Sequence, residues 1–361
     1  MCLFKPQKNL SPVLITDTIL SDSRGIPQNF IPTRTLEYYK KSNIIPLYRK
    51  FITTEDKKTI ISFSGSVKKI IDFLDYAEFS IDNLTSYRPL KNLAERASEY
   101  NGDIDVIAIS CGKDLDRLHY ITSDKSKLWE SDNFGFYSSI GSGSDYFNEY
   151  IKRHDDPLLY GTQNENAISI AHEFITGNFV SEIYNSPKSN LNWGGFFELS
   201  YFDWKKNEWV TRGKTAYFIY QFHFSKEEAP DLIDRIYLYD PGEKSGFIHY
   251  IRSASDYSHN ITVPIFPINQ DMEFEIPHVD ISSWYPDFLC ISLIGIENHD
   301  NGAQTLHTAN YFYPVTDIDG VSTGYGRTGI RFLPHGPELD SFLISEERNM
   351  RDKYIKRYDK K

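Results

Sequence analysis

The chain has 361 residues, 40% hydrophobic and 15% aromatic, with 25 Tyr and 24 Phe, which suits β-sheet packing and argues against a disordered chain. Its 39 Lys and Arg against 50 Asp and Glu give a net charge of −11, which argues against a nucleic-acid partner. Three cysteines, Cys2, Cys111 and Cys290, are too few and too scattered for a disulfide framework or a cysteine zinc site, so a reducing, cytoplasmic setting is expected. No apolar run approaches the ~18 residues of a membrane helix and the opening stretch lacks a signal-peptide apolar region, so a soluble chain without a membrane partner is expected.

In chain order, a short apolar run from Cys2 to Phe4 is followed by a polar, turn-forming run from Lys5 to Pro12 and by Val13-Leu14-Ile15, ending at Asp17. Two such strands pair as a hairpin, which brings Asp17 back beside the amino terminus. Removal of Met1 would leave Cys2 terminal, and a carboxylate beside a free amine and a thiol is a catalytic arrangement. Taken alone, these residues fit an ordinary edge hairpin better. A proline-marked insertion follows at residues 21–39. Strands are expected at residues 44–48, 51–53 and 59–63, and Ser64-Gly65-Ser66 then opens a helix with Val67, Ile70, Ile71, Leu74 and Ala77 on one face.

A second helix carries Leu90, Leu93, Ala94 and Ala97, and strands resume at residues 105–109, 118–121 and 136–140. Gly141-Ser142-Gly143-Ser144 starts a helix through Tyr146, Phe147, Tyr150 and Ile151. Another helix at residues 164–184 and a hairpin at residues 196–210 follow. This order suits two antiparallel sheets with helix pairs outside them, a layered α+β arrangement. Residues 213–335 read as a β-rich, sandwich-like domain, and residues 336–361 as a charged tail, a solvated helix or frayed end. Glu346, Glu347, Arg348 and Arg351 read as its solvated face.

Gly324-Tyr325-Gly326-Arg327-Thr328-Gly329 has the letters of a dinucleotide-binding glycine loop. It precedes the strand-like Ile330-Arg331-Phe332 instead of a helix, so it reads as a loop of the β domain. His249, His278 and His307 read as separate structural residues, and neither a metal nor a cofactor is expected. Cys111 and Cys290 read as buried residues.

Four stretches occur in order: Leu14-Ile15-Thr16-Asp17; Arg49-Lys50-Phe51 with Ile60-Ile61-Ser62-Phe63-Ser64-Gly65-Ser66; Ser139-Ile140-Gly141-Ser142-Gly143-Ser144; and Ile183-Tyr184-Asn185 with Phe197-Glu198-Leu199-Ser200-Tyr201. Together they resemble the proteasome β-subunit family of amino-terminal-nucleophile (Ntn) hydrolases, nearest the bacterial ATP-dependent peptidase that pairs with a ring unfoldase. The resemblance covers residues 1–205. It implies a four-layer αββα sandwich for residues 1–212, with the C-terminal β-rich domain as an addition.

The resemblance also implies a role for each matching residue. Cys2, freed of Met1, is the nucleophile and its α-amine the base. Lys50 is the cation that favours the thiolate, and Asp17 holds Lys50. The Gly65 N–H donates to the oxyanion, and Ser142 hydrogen-bonds the amine or a catalytic water. A peptide or protein substrate, a homo-oligomeric ring and an unfoldase or other protein partner are implied as well. The chain departs from the family in a shorter hairpin loop, in the insertion between Asp17 and Lys50, and in lacking an aspartate after the last helix, where Asn185 and Asn192 stand. Two alternatives remain open: a non-catalytic scaffold or binding protein whose β domain carries the function, and an amidase acting on a small molecule.

Overall fold

A computed structural model describes residues 2–4, 11–18, 47–81, 87–100, 102–111, 119–122, 128–131, 135–141, 143–153, 171, 174–175, 196–224, 231–242, 246–251, 261–267, 284, 286–314, 323–326, 329–332 and 337–358. The chain divides into two compact units. One is Met1–Arg212 with Pro241–Gly246 and Pro264–Glu275; the other is Gly213–Asp240 with Phe247–Val263 and Ile276–Lys361. Two short segments from within residues 213–335 therefore belong to the first unit.

In chain order the first unit contains β1 (Cys2–Phe4), β2 (Val13–Asp17), β3 (Leu47–Arg49), β4 (Phe51–Thr53), β5 (Thr59–Gly65), α1 (Val67–Ile81), α2 (Tyr87–Ser98) and β6 (Ile104–Ser110). It continues with β7 (His119–Thr122), β8 (Leu128–Ser131), β9 (Gly135–Ser139), α3 (Ser144–Arg153), β10 (Phe197–Asp203) and β11 (Glu208–Thr211). These strands give an antiparallel sheet ordered β11-β10-β2-β1-β9-β8 and another ordered β4-β5-β6-β7. The insertion at residues 21–39 lies outside the described residues.

Strand alternation sorts the core of this unit. Ile61 and Phe63 of β5, with Val106 and Ala108 of β6, meet Ile70, Phe73 and Leu74 of α1 and Leu93 and Ala97 of α2. The alternate residues Ile60, Ile107 and Ile109 join Leu14, Phe202 and Trp209 of the other sheet. Tyr137 of β9 meets Phe147 of α3 edge-on at 6.5 Å, and Phe197 of β10 meets Phe174 at 5.5 Å. Ala171, Phe174 and Ile175 are helical and buried, and the remainder of the helix expected at residues 164–184 is outside the described residues. Strand β8, which the sequence reading passes over, stacks Trp129 on Tyr137 at 5.7 Å.

The second unit is built on β12 (Thr215–His223), β13 (Asp231–Asp240), β14 (Gly246–Ile251), β15 (Ile261–Pro267), β16 (Phe288–Asn298) and β17 (Gln304–Pro314), in the order β17-β16-β12-β13-β14-β15. Strands β12 and β16 are parallel, whereas β16–β17, β12–β13 and β13–β14 are antiparallel. The second half of β15 belongs to the first unit, where Ile265 and Phe266 pair with Leu47 and Tyr48 of β3. A small hairpin, β18 (Thr323–Gly326) and β19 (Gly329–Phe332), holds the glycine motif, with Gly326 opposite Gly329.

One expectation for this unit changes, that of a solvated tail. Ala216, Phe218 and Tyr220 of β12, with Leu289, Ile291 and Leu293 of β16, pack with Phe342 and Leu343 of α4 (Pro337–Tyr358). Among the described residues, one apolar face of this sheet is thus packed against a helix, while the alternate residues Tyr217, Ile219, Cys290 and Ile294 are buried as well. The charged tail is this helix, and it is docked. Glu347 is buried and pairs with Arg351 at 2.7 Å, and Arg351 donates to the carbonyls of Phe224 and His223 at 2.8 and 3.0 Å. Tyr311 donates to Glu346, while Arg348 is exposed. The guanidinium fork satisfies strand-end carbonyls, so Glu346, Glu347 and Arg351 mark contacts, while Arg348 lies on the solvated face. Among the described residues, no helix is long and apolar enough to cross a membrane.

Candidate active site

The start of β1 is enclosed by its neighbours. Cys2 pairs with Ile15 of β2 on one side and Ser139 of β9 on the other. Both neighbours are antiparallel to β1, so each runs on past its start. Asp17 lies two residues beyond Ile15, and Gly141 two residues beyond Ser139. The hairpin expected from the sequence therefore forms with Asp17 on the side where β1 begins.

Lys50 reaches Asp17 from the junction between β3 and β4. Its Nζ donates to Asp17 Oδ1 at 2.9 Å, with each side chain 13% exposed. Its carbonyl accepts from the Phe63 N–H at 2.9 Å and from Ser62 Oγ at 2.8 Å, which ties it to β5. Gly65 ends β5 with φ +118°, and a Cβ there would fall 2.1 Å from the Asp103 carbonyl oxygen. No side chain fits, so this strand end exposes bare backbone. Gly141 has φ +85°, and a Cβ there would lie 2.4 Å from Ser64 Oγ. The turn after β9 therefore touches the residue before Gly65.

That turn is tied down by buried hydroxyls. Ser139 Oγ donates to the Ser144 carbonyl at 3.0 Å, Ser144 Oγ donates to the Ser139 carbonyl at 3.0 Å, and the two hydroxyls are 2.9 Å apart. Of the five residues singled out in the sequence, Asp17 and Lys50 are directly bonded. Cys2 and Gly65 belong to strands whose ends are linked through the Gly141 turn. Ser142 lies outside the described residues, between Gly141 and Gly143.

The sequence reading missed Ser64, Ser139 and Ser144 as supports, and it missed the pairing of Arg49 with Glu198. Arg49 Nη2 donates to Glu198 Oε1 at 2.8 Å, and the Glu198 side chain is 0% exposed. The sequence offers only a charge closing the run Leu47-Tyr48-Arg49 beside Lys50 and another inside Phe196-Phe197-Glu198-Leu199, neither of which names its partner.

The other thiols are poor competitors for chemistry. Burial pushes the Cys111 thiol far up, against the opposing charge of Lys58, so it is not a thiolate near neutrality. Cys290 is 1% exposed within β16. Among the described residues, no group of three His, Cys, Asp or Glu side chains could hold a metal ion.

No protein-family profile matches the chain, and no curated protein matches it. Among solved structures, the chain is similar to the eukaryotic HslV from Trypanosoma brucei at 16% identity and a TM-score of 0.35, a match covering 56% of this chain and 98% of that one.

Proposed function

We propose that the first unit is a cysteine-type Ntn hydrolase that cleaves amide bonds, with peptides as its substrates, once the peptide bond before Cys2 has been removed. The observation that carries this reading is the convergence at the start of β1. Asp17 on one flanking strand is held by Lys50 at 2.9 Å, and the Gly141 turn after the other flanking strand touches Ser64, beside the bare backbone of Gly65. The packing of α1 and α2 on one sheet, of that sheet on the other, and of α3 on the far side supports a four-layer αββα arrangement.

In this reading Cys2 Sγ attacks the amide carbon while the thiol proton passes to the Cys2 α-amine, directly or through water, and the C=O electron pair moves onto oxygen. The Gly65 N–H donates to that oxyanion. Collapse re-forms the C=O bond and breaks the C–N bond, and the α-ammonium returns its proton to the departing amine. Water then hydrolyses the thioester with the same amine as base. Lys50 favours the thiolate by its charge, Asp17 keeps Lys50 in place, and Ser142 hydrogen-bonds the amine or the water. A cytoplasmic homo-oligomeric ring served by an unfoldase belongs to the same proposal.

The test is an intact mass followed by labelling with a thiol-reactive peptide inhibitor. The expected result is a chain lacking Met1 with one label on Cys2. Cys2→Ala should be unlabelled and inactive, while Cys111→Ala and Cys290→Ala should match the wild type. Equal labelling of wild type and Cys2→Ala would overturn the reading. A chain that keeps Met1 and takes no label would leave a scaffold role in its place. Turnover of small amides with peptides left intact would make it a small-molecule amidase.

A further inference from the structure

We propose that the buried Arg49–Glu198 ion pair is a positioning device for Lys50. The inference rests on the hydrolase reading above and names two residues to which that reading gives no part. Residues 48–50 pass the end of β2, where the Tyr48 N–H donates to the Thr18 carbonyl at 3.0 Å. The next two side chains then grip the β2–β10 ladder at adjacent rungs. Arg49 takes Glu198, which stands opposite Thr16; Lys50 takes Asp17, which stands opposite Phe197. Successive strand residues point to opposite faces, so the two carboxylates lie on opposite sides of the sheet. One main-chain link, Arg49–Lys50, is thus held from both faces.

The Arg49 side of this grip is built for direction. Its Nε donates to Glu198 Oε1 and Oε2 at 3.1 and 3.2 Å, its Nη2 donates to Oε1 at 2.8 Å, and Nη2 also donates to the Pro241 carbonyl at 2.6 Å. The guanidinium lies over the Phe51 ring, 5.5 Å from its centroid. A buried ion pair is a poor device for stability alone, because apolar residues of similar volume do as well or better. A planar fork bonded on several edges does fix where its own main chain sits. The main chain it fixes is the one that carries Lys50, whose ammonium must stay on Asp17.

The experiment uses the full chain with Cys2 exposed and iodoacetamide as the probe. Alkylation of the Cys2 peptide is followed by mass spectrometry from about pH 5 to 9, while urea unfolding reports stability. Lys50→Met should move the pH profile up by about one unit, making alkylation about tenfold slower at neutral pH. The double variant Arg49→Met with Glu198→Gln removes the charges together. It should stay folded and yet follow the Lys50→Met profile. Arg49→Lys keeps the charge without the fork and should fall between the two. Should the double variant unfold, Arg49→Lys decides by the same criterion.

Wild-type profiles in the double variant and in Arg49→Lys, beside a shifted Lys50→Met, would overturn the positioning role and leave the hydrolase reading standing. Identical profiles for wild type and Lys50→Met would remove that reading and this inference with it.

Discussion

The two units place their buried polar groups differently. In the first, Thr16, Thr18, Glu198, Ser139 and Ser144 are buried around one end of one sheet, with Asp17 and Lys50 partly exposed beside them, while Thr54, Thr59, Ser62, Ser110, Ser138, Ser200 and Arg212 are buried elsewhere along or beside its strands. In the second, buried polar residues are spread along the strands: Thr215 opens β12, His249 sits in β14, Ser292 lies within β16 and Glu297 lies near its end. Strands β16 and β17 pair over 11 residues and hold themselves by their ladder. Strand β1 is 3 residues long and depends on β2 and β9. A group of buried polar residues beside the start of so short a strand costs desolvation and adds little packing, which fits the proposed site there.

The sharpest test of that contrast is Glu198→Ala. It leaves Arg49 partly buried without its carboxylate and should cost about 3–5 kcal/mol, read as a lower urea midpoint. Removing apolar volume from the second unit at Leu293, 0% exposed, should cost a comparable amount through the cavity it leaves. Only the first change should also slow Cys2 alkylation. A loss below about 1 kcal/mol for Glu198→Ala would mean that this polar group is not built into the fold as tightly as its burial implies.

Much of the site's frame could be read from the chain because its signals are local. The Cys2 to Asp17 hairpin announces itself by two apolar runs around a turn, and Gly65 marks a strand end where no side chain fits. The Lys50–Asp17 bond was legible only through the resemblance. The Arg49–Glu198 pair was not legible, because 149 residues separate the partners and each charged letter alone suggests a surface. Strand β17 escaped notice because its first residues, Gln304 and Thr305, are exposed and lack an alternating apolar pattern. The parallel pairing of β12 with β16 depends on a long connection that no local pattern encodes. The C-terminal helix looked solvated because its contacts are made by Phe342, Leu343 and Arg351, set among many charges.

A smaller effect separates the units by pH. His249 in the second unit is 4% exposed, and burial lowers its pKa from 6.5 to about 4. The unfolded chain binds this proton more readily, so stability is fully present above pH 6.5 and is lost as the pH falls from there towards about 4. The loss should reach about 3 kcal/mol and be absent in His249→Phe, as measured by urea unfolding at a series of pH values. An unchanged slope in His249→Phe would assign the acid sensitivity to groups other than His249.

The smallest effect asks whether buried hydroxyls differ in purpose between the units. Ser139→Ala removes the donor to the Ser144 carbonyl and loosens the turn through Gly141. It should cost about 1–2 kcal/mol and slow Cys2 alkylation several-fold, because that turn touches the strand end at Ser64. Ser292→Ala in β16 loses a 2.8 Å bond to Asn310, and the ladder around it still holds the strand. It should cost about 1 kcal/mol and leave alkylation unchanged. Equal effects of the two substitutions on alkylation would dissolve the contrast, since the hydroxyls at the end of β9 would then serve packing alone. A several-fold gap would tie the conformation of the Gly141 turn to the reactivity of Cys2, which register alone places beside it.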